Sequence, residues 1–326
     1  MYLKYSCELT NLCNAKCIFC PYQFQKRKAD FMSDDVFYKA VGDFVKIGGG
    51  SVMLTPIVGD ALIDPRFVER VKYLRSIQLI DRIKVVTNGI LLDKHGIENI
   101  LNSGITEIDI STAGFDESTY EKVYRSNSYK KVKNNVEELV RLNSLRKEPI
   151  LVVIALRSDR SLNDVLRDED FQQILKYKPI IDFTWSFTSA GGRITKEMLP
   201  DTMKLRKVTS RKKTCVQLYN GPIVLADGTV MACSCVAAMD AINDLGIGNI
   251  MENSLIEIWN GYKMSELRKS FGKDNLNNTC AKCDMYRPPD LYKTFEGRER
   301  AKINKKRLQG EIAFRKTKAK EPFSGG

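Results

Sequence analysis

Apolar residues along the chain follow two alternating spacings, which predict strands and helices in turn through residues 1–190. Short apolar runs typical of buried strands occupy 2–9, 51–55, 83–87, 107–111, 149–156 and 180–187. Between them, apolar residues return every three or four positions, as on one face of a helix. The predicted helices are 33–47, 67–77, 93–102, 117–146 and 162–176. Regular alternation of strands and helices predicts a parallel sheet in an α/β fold.

The pattern changes after residue 190, and the change predicts a second, smaller domain. Residues 191–214 are basic and lack clear periodicity, which indicates a linker. In the domain predicted for 215–290, Asp227-Gly228 separates two short apolar runs, a typical signal for a β-hairpin. About six strand–helix units fit in residues 1–190, fewer than the eight of a closed (β/α)8 barrel. Open doubly wound and barrel-like sheets both agree with this count.

Composition restricts the class of protein. A chain of 326 residues with 43% hydrophobic residues can bury a large core and exceeds the usual size of a single core. No apolar run approaches the roughly 20 residues of a membrane span, and the first residues do not form a signal peptide. We therefore expect a cytoplasmic protein without a membrane partner, in which the high cysteine count indicates metal binding and not disulfides. The single histidine argues against histidine-based catalysis.

The net charge of +12 is concentrated in part near the C-terminus. From Arg287 to Lys320 the chain is rich in Lys and Arg and poor in apolar residues, so we expect 291–326 to form a basic tail. Such a tail is more often solvated than bound. An anionic partner, including nucleic acid, is not excluded by this charge.

Three cysteines lie close together after the first predicted strand. They are Cys13, Cys17 and Cys20. Iron–sulfur clusters are held by cysteine thiolates and commonly take four, so three thiolates leave one iron open to another ligand. The alternatives are a zinc site, in which Cys7 supplies a fourth ligand, and buried structural thiols.

The CxxxCxxC spacing, with Phe19 before the last cysteine, resembles the signature of the radical S-adenosylmethionine (SAM) enzymes. The resemblance implies a [4Fe–4S] cluster whose open iron binds SAM, and a reaction that begins with reductive cleavage of SAM. It also favours a partial (β/α)6 TIM-like barrel over an open doubly wound sheet.

Further segments resemble SAM-binding parts of that family, and they follow successive predicted strands. Gly59 and Asp60 lie where the family has its GGEP loop, although Val58-Gly59-Asp60-Ala61 replaces Gly-Gly-Glu-Pro. The resemblance implies that Gly59 and Asp60, and Asn88 at the end of the third strand, bind SAM. It also implies that Ser111 and Thr112 contact the ribose and that Arg125 contacts the methionine carboxylate. An ordinary turn at Asn88 and an exposed helix arginine at Arg125 are the alternative interpretations.

A second set of cysteines lies in the last third of the chain. Its members are Cys215, Cys233, Cys235, Cys280 and Cys283. Spacing alone allows a zinc ribbon or an iron–sulfur cluster. The order Cys-x12-Gly-x4-Cys followed by CxxC resembles the SPASM/twitch extension of radical SAM enzymes, which implies one auxiliary [4Fe–4S] cluster. The ligands that it implies are Cys215, Cys233, Cys280 and Cys283, within a small α+β hairpin-and-helix domain.

Two cysteines remain outside these ligand sets. Cys7 lies on the first predicted strand, where a packed core thiol is expected. Cys235 has three interpretations: a hydrogen donor to a substrate radical, as in some radical SAM epimerases, a cluster ligand in place of Cys233, or a packed thiol.

The resemblance therefore implies a radical SAM enzyme that takes a hydrogen atom from a substrate C–H bond. Oxidation or epimerisation of a sugar- or aminocyclitol-like small molecule is expected, because no module resembling a leader-peptide-binding domain precedes Cys13. A ribosomally made peptide, or an RNA or nucleotide substrate, is the alternative. An electron donor such as flavodoxin or ferredoxin is the expected protein partner. The rival from another class is a zinc- and nucleic-acid-binding protein without catalytic activity.

Overall fold

The computed structural model describes residues 4–55, 57–184, 186–233, 241–273, 275–291 and 298, and these residues build one continuous nine-stranded sheet. Its strands are β1 (Lys4–Cys7), β2 (Gly50–Met53), β3 (Ile80–Thr87), β4 (Glu107–Thr112), β5 (Leu151–Leu156), β6 (Ile180–Phe183), β7 (Ile223–Val224), β8 (Thr229–Met231) and β9 (Gly246–Asn249). The order across the sheet is β6-β5-β4-β3-β2-β1-β7-β8-β9. Strands β1 to β6 pair in parallel, as the alternating pattern predicts.

Helices connect the parallel strands and cover the sheet. They are α1 (Asp34–Lys46), α2 (Phe67–Ser76), α3 (Leu92–His95), α4 (Ile97–Leu101), α5 (Glu117–Tyr124), α6 (Tyr129–Ser144), α7 (Leu162–Val165), α8 (Glu169–Leu175), α9 (Ile242–Leu245), α10 (Leu255–Asn260), α11 (Tyr262–Ser270) and α12 (Asn278–Lys282). None of the described helices has the length and apolarity needed to cross a membrane.

Helix α1 shows how local sequence sets the boundaries of an element. The Ser33 hydroxyl accepts a hydrogen bond from the Val36 N–H at 3.2 Å, as an N-cap does. The buried face of the helix packs on the sheet, and Phe37 and Phe44 on that face are fully buried. A positive φ of 108° at Gly48, just beyond the helix, suits a residue without a Cβ.

Three predicted helices are interrupted. The segment 93–102 divides at Gly96, whose φ is +75°. The segment 117–146 divides after Tyr124, where Arg125 takes a left-handed φ of 49° and ends α5. The segment 162–176 divides into α7 and α8. Hydrophobic periodicity continues across these breaks, so it predicts helices on both sides and does not locate the turn between them.

The six parallel strands form a sheet that is not closed, which confirms the predicted partial barrel.

On one face of β3 and β4 lies a network of buried or half-buried charges near the amino ends of the strands. Lys84 donates to Glu107 at 2.8 Å and to Asp109 at 2.6 Å, and Arg82 also donates to Glu107. These four residues alternate with Ile83 and Ile108, which face the other side of the sheet.

The predicted hairpin forms and extends this sheet beyond β1. Strands β7 and β8 are antiparallel, and β9 adds a third strand. Strand β7 pairs in parallel with β1, with Ser6 opposite Ile223 and Cys7 opposite Val224. At the start of this contact, Gly221 has a φ of +138°, and a Cβ there would lie 1.9 Å from the Lys4 carbonyl oxygen. The close approach of the two chains therefore requires glycine.

A second contact joins the two parts of the sheet on their helical side. The N–H of Leu255, at the start of α10, donates to the Asp43 carboxylate of α1 at 3.2 Å. Near the end of β1, the buried Glu8 carboxylate receives both terminal nitrogens of Arg27, at 2.6 and 2.8 Å. The C-terminal hairpin is thus integrated with the barrel through its sheet and through its helices.

Candidate functional site

The cysteine loop directly follows β1, at the carboxyl end of the parallel strands. Its thiols are those of Cys13, Cys17 and Cys20, of which the second is buried and the others half-buried. The loop is bonded to the end of α5: the Lys16 N–H donates to the Tyr124 carbonyl at 3.3 Å, and the Ile18 N–H to the Val123 carbonyl at 3.0 Å. Ligands of α/β folds sit at this end of the sheet, so the loop lies where a site is expected.

Electrostatics show that the three thiols influence one another. Burial, together with the charge of the nearby Asp60 carboxylate, raises the pKa of Cys13 to about 12. Burial also raises the pKa of Cys17 well above its usual range, and the charges of Cys20 and Cys13 add to this effect. Thiolates in this loop therefore need a positively charged partner. A metal centre supplies that charge, so the donor set fits a thiolate-bound cluster.

Arg157 is a residue of this site that the sequence analysis did not identify. It follows the last residue of β5, and its charge acts to lower the pKa of both Cys17 and Cys20. Its Nε donates to Ser111 Oγ at 2.9 Å, and its Nη1 donates to Thr184 Oγ1 at 3.0 Å. Its position immediately after a parallel strand is the signal by which the sequence could have revealed it.

Gly59 and Asp60 lie against the cysteine loop. A Cβ on Gly59, whose φ is +105°, would lie 2.9 Å from the carbonyl oxygens of both Thr10 and Leu12. The Asp60 N–H donates to the Leu12 carbonyl at 2.8 Å. Gly59 thus permits close packing of this loop on the segment that leads into Cys13. Its predicted contact with SAM stays a prediction.

The Asp60 carboxylate is buried and holds several donors. It accepts from the Leu62 N–H at 3.0 Å, from the Asn88 N–H at 2.8 Å and from the Thr87 hydroxyl at 2.9 and 3.0 Å. Burial raises its pKa, although these hydrogen bonds act in the opposite direction. The side chain amide of Asn88 then donates to Asn14 Oδ1 at 2.6 Å. Asp60 and Asn88 therefore link the end of β3 to the cysteine loop.

The other predicted SAM contacts are not all brought together. Ser111 faces the site, where its hydroxyl bonds Arg157 and lies 2.8 Å from the Tyr124 hydroxyl. Thr112 lies on the opposite face of β4, fully buried, and donates to the Gly114 carbonyl. Arg125 is exposed at the end of α5. The roles assigned to these three residues stay predictions.

The second set of thiols converges on one open cavity. The cysteines that line it are Cys215, Cys233, Cys280 and Cys283. Most of its other lining is apolar, including Leu218, Leu245 and Phe271. Burial raises the pKa of Cys280 to about 12, and the charges of Cys283 and Cys215 contribute to this. The structure therefore brings together the four thiols that the spacing predicts, and this donor set fits a second cluster.

Arg211 holds the CxxC turn at the edge of this cavity. Its Nε donates to the Cys280 carbonyl at 3.2 Å, and its Nη2 donates to the Cys283 carbonyl. The guanidinium also lies over the Tyr286 ring, 4.8 Å from its centroid. The Cys283 sulfur accepts the Met285 N–H at 3.3 Å. These contacts fix the turn that carries Cys280 and Cys283.

The two remaining cysteines differ in what the structure describes. Cys7 is fully buried, its thiol lies 3.4 Å from the Met32 sulfur, and burial raises its pKa to about 12. The expected core thiol is therefore present. Cys235 lies outside the described residues, so its proposed hydrogen donation stays a prediction.

Comparison with protein families divides the chain as the two thiol sets do. The profile of the radical SAM superfamily matches residues 7–171, and the profile of the SPASM iron–sulfur cluster-binding domain matches residues 215–284.

Curated relatives match mainly through the first part of the chain. GTP 3',8-cyclase of Mannheimia succiniciproducens is 29% identical over 182 residues, covering 55% of this chain and 51% of the relative. GTP 3',8-cyclase of Clostridium perfringens strain SM101 is 30% identical over 236 residues, covering 68% and 67%. The chain spans about half the length of several curated relatives that it matches.

Solved structures of similar fold match across both parts. BtrN, in complex with AdoMet and 2-DOIA, has a TM-score of 0.53 and 16% identity, and the match covers 87% of this chain and 93% of BtrN. The anSMEcpe enzyme with bound AdoMet and Cp18Cys peptide has a TM-score of 0.58, 16% identity and coverage of 84% of each chain. Streptococcus suis SuiB bound to precursor peptide SuiA has a TM-score of 0.61, 13% identity and coverage of 87% and 70%.

Proposed function

The chain belongs to the radical SAM superfamily, and on that basis we propose that it dehydrogenates a small polar substrate related to sugars or aminocyclitols. Its cofactors are SAM, a SAM-binding [4Fe–4S] cluster and an auxiliary cluster. When bound and reduced, the first cluster supplies the electron that cleaves SAM, and the resulting 5′-deoxyadenosyl radical takes hydrogen from a substrate C–H bond.

The observation that carries the proposal is the complete set of four thiols around one cavity. Four thiolates satisfy a cluster, so no iron is left for a substrate to bind. A closed site of this kind would accept the electron that a substrate radical loses, and the proton lost with that electron would pass to solvent, which would complete a dehydrogenation. Cofactor chemistry of this type leaves positioning and electrostatics to the protein.

The chain's own residues have distinct tasks in this proposal. Cys13, Cys17 and Cys20 hold the SAM-binding cluster, and Asp60 and Asn88 keep their loop in place. Arg157 sets a positive charge beside the thiols, where it orients the Ser111 hydroxyl. An arginine at that position suits an anionic or hydroxyl-rich group because it presents several N–H donors in a fixed plane.

The choice of substrate rests on size and likeness. BtrN, whose structure holds 2-DOIA, is covered over 93% of its length, whereas the peptide-bound SuiB is covered over 70%. A chain that matches nearly all of a small-molecule enzyme is better suited to a small substrate. A reduced cytoplasm suits the cysteine-rich composition.

A second candidate function is favoured by the curated relatives. Those named GTP 3',8-cyclase are up to 30% identical and match up to 68% of this chain. A cyclisation of a guanosine nucleotide is therefore the rival reaction. Epimerisation, with Cys235 as hydrogen donor, is the rival outcome for a sugar-like substrate.

The test is anaerobic reconstitution followed by assay with SAM, a strong reductant and separate candidate substrates. We expect 5′-deoxyadenosine to form with an aminocyclitol or sugar and the product to have lost two hydrogen atoms. Reaction in heavy water separates the outcomes, because an epimer retains the substrate's composition and gains a solvent-derived deuterium. Turnover of GTP alone would overturn the proposed substrate class.

A variant separates the roles of the two thiol sets. In Cys283→Ala we expect 5′-deoxyadenosine to form while the oxidised product does not, since the auxiliary electron acceptor is lost. Cys7→Ala is the matched control, because that thiol lies outside both sets. Unchanged oxidised product from Cys283→Ala would contradict the proposed route for the electron.

A further inference from the structure

The segment 204–213, predicted as part of a linker, lies against the auxiliary thiol site and carries charge of one sign. Its charged residues are Lys204, Arg206, Lys207, Arg211, Lys212 and Lys213, and it contains no Asp or Glu. Neither the SAM site nor the thiol ligands account for this run of cations. We call it the basic segment.

Both ends of the basic segment are bonded to the rest of the protein. Near one end, the Phe187 N–H donates to the Lys204 carbonyl, and the Arg206 N–H donates to the Phe187 carbonyl, each at 2.8 Å. At the other end, the Gly272 N–H donates to the Arg211 carbonyl at 3.2 Å. These bonds give the basic segment a fixed course across the surface.

Four exposed lysines belong to the basic segment or to segments that Arg211 contacts. Lys207 and Lys212 belong to the basic segment, Lys273 follows Gly272, and Lys282 lies within the CxxC turn that Arg211 holds. Within the ranges that the structure describes, none of these four ammonium groups forms an ion pair. Lys213, by contrast, is paired with Asp290 at 2.7 Å. Exposed positive charge without an ion-pair partner among the described residues therefore lies on the segments that meet at Arg211.

The same surface is where the auxiliary site comes nearest to solvent. Cys215, Cys233 and Cys280 are buried, whereas Cys283 is half-buried. The CxxC turn is therefore the most accessible edge of the four-thiol cavity. Lys282 belongs to this turn, and Lys212 and Lys273 flank the Gly272–Arg211 bond beside it.

We propose that the surface formed by Lys207, Lys212, Lys273 and Lys282 is the docking site of an acidic one-electron carrier protein that exchanges electrons with the auxiliary site near Cys283. The proposal rests on the proposed function for the presence of an electron acceptor at that site. One electron passes to the carrier's oxidised flavin or iron–sulfur centre, which is reduced, while the auxiliary site is reoxidised. No atom is transferred in the docked pair.

The physical basis is electrostatic complementarity. Clustered charges of one sign raise association rates for an oppositely charged partner by about 10- to 1000-fold at low salt. Exposed charges are screened beyond about 8–10 Å at physiological ionic strength, so this advantage falls as salt is added. Redox partners associate through small interfaces, in which charge steers the encounter more than buried area does.

The test measures association of the reconstituted full-length protein with an acidic [2Fe–2S] ferredoxin at increasing salt concentrations. In the triple variant K207E/K212E/K282E we expect the association rate at low salt to fall at least about tenfold and its salt dependence to flatten. The matched control is K130E/K147E/K176E, which changes the same charge at exposed lysines of the barrel domain. At physiological ionic strength, where the Debye length is about 8 Å, that control should stay within about twofold of the unchanged protein.

A neutral variant keeps the test valid if the charge-reversed protein folds poorly. K207Q/K212Q/K282Q should give a smaller decrease of the same kind, while iron content and the spectrum of the auxiliary cluster stay unchanged. Equal association rates for the surface variants and the control variant would overturn the proposal. Loss of binding to a short RNA, with ferredoxin binding intact, would overturn it in favour of a nucleic-acid surface.

This readout is independent of turnover. Ferredoxin association is measured without substrate, so failure to find a dehydrogenated product would count against the proposed function alone. Failure of the surface variants to slow association would count against the docking site alone.

Discussion

The two thiol sites of this protein are built in opposite ways. The first takes three cysteines from eight consecutive residues, whereas the second takes four from three separate segments, residues 215, 233 and 280–283. The first is therefore local in the sequence and incomplete in its ligands, and the second is distributed and complete. An incomplete set leaves a position for SAM, while a complete set is suited to holding an electron.

The two sites also differ in the contacts that hold their cysteines in place. The cysteine loop is held by hydrogen bonds from separate parts of the barrel, including the Asp60 loop and the end of α5. The second site is held by one arginine, Arg211, and by strands that continue the barrel sheet. One continuous sheet therefore carries both sites.

The largest expected effect comes from removing one thiol of the first site, which should leave the second site intact. Cys17→Ala should lower 5′-deoxyadenosine formation by more than about 100-fold, because loss of an outer-shell partner alone typically costs 10- to 100-fold at a metal site. The auxiliary cluster should remain, so iron analysis and electron paramagnetic resonance should find one cluster of the two. Cys7→Ala is the control. Retention of SAM cleavage in Cys17→Ala would contradict the role of Cys17 as a ligand of the SAM-binding cluster.

The next prediction concerns the joint between the two sites. Gly221→Ala places a Cβ 1.9 Å from the Lys4 carbonyl at a φ of +138°, so we expect a loss of about 3 kcal/mol in the free energy of unfolding. Urea unfolding of the reconstituted protein measures it. Gly42→Ala is the matched control: it has no atom within 4 Å of its Cβ and lies in helix α1, where alanine should stabilise by about 0.5–1 kcal/mol. Equal stability of the two variants would contradict a rigid joint.

A third prediction concerns the charge network near the amino ends of β3 and β4. Burial opposes ionisation of Glu107, but the charges of Lys84 and Arg82 outweigh it and lower its pKa from 4.5 to about 2. A carboxylate with a lowered pKa stabilises the fold above pH 4.5 and loses that contribution as the pH falls towards 2. Glu107→Gln should therefore cost about 2–3 kcal/mol at neutral pH and less as the pH falls through this window.

Urea unfolding of the metal-free chain at neutral and acidic pH measures this difference. Glu266→Gln, at an exposed ion pair with Lys269, is the control and should change stability by less than about 1 kcal/mol. The difference in free energy of unfolding between Glu107→Gln and the unchanged protein should shrink at acidic pH. A difference that stays constant with pH would show that the ionised Glu107 carboxylate does not cause it.

The smallest expected effect concerns the buried Asp60 carboxylate beside the cysteine loop. Asp60→Asn replaces one acceptor oxygen by an N–H donor opposite the donors of Leu62, Thr87 and Asn88. We expect SAM binding to weaken about tenfold, as for other partners that orient metal ligands. The control is Asp35→Asn, at an exposed position of α1. Calorimetric titration of SAM decides it, and unchanged affinity would restrict Asp60 to a structural role.

Much of the first region could be predicted from the sequence because its signals are local. The six parallel strands lie where the apolar runs predict them, and three cysteines in one loop need no tertiary information to be recognised. Arg157 was missed because a single arginine after a strand has no distinctive spacing. Its importance depends on the folded position of Ser111 and the thiols.

The second region could be predicted only in part. The hairpin signal at Asp227-Gly228 located β7 and β8, and the cysteine spacing identified the four thiols that share a cavity. The parallel pairing of β7 with β1 was not predicted, because strand pairing between distant segments leaves no local pattern. The boundaries of domains and linker, and the roles of Cys235 and Arg125, stay predictions.

The β1–β7 pairing has a consequence for synthesis of the protein on the ribosome. Cys7 and its partner Val224 are separated by 217 positions (224 − 7). At typical elongation rates of about 5–20 residues per second, β7 is synthesised roughly 10–40 s after β1. During that interval an unpaired edge is open to pairing with other chains. Slow translation should therefore increase aggregation of the nascent chain, even though the finished molecule has no exposed edge at β1.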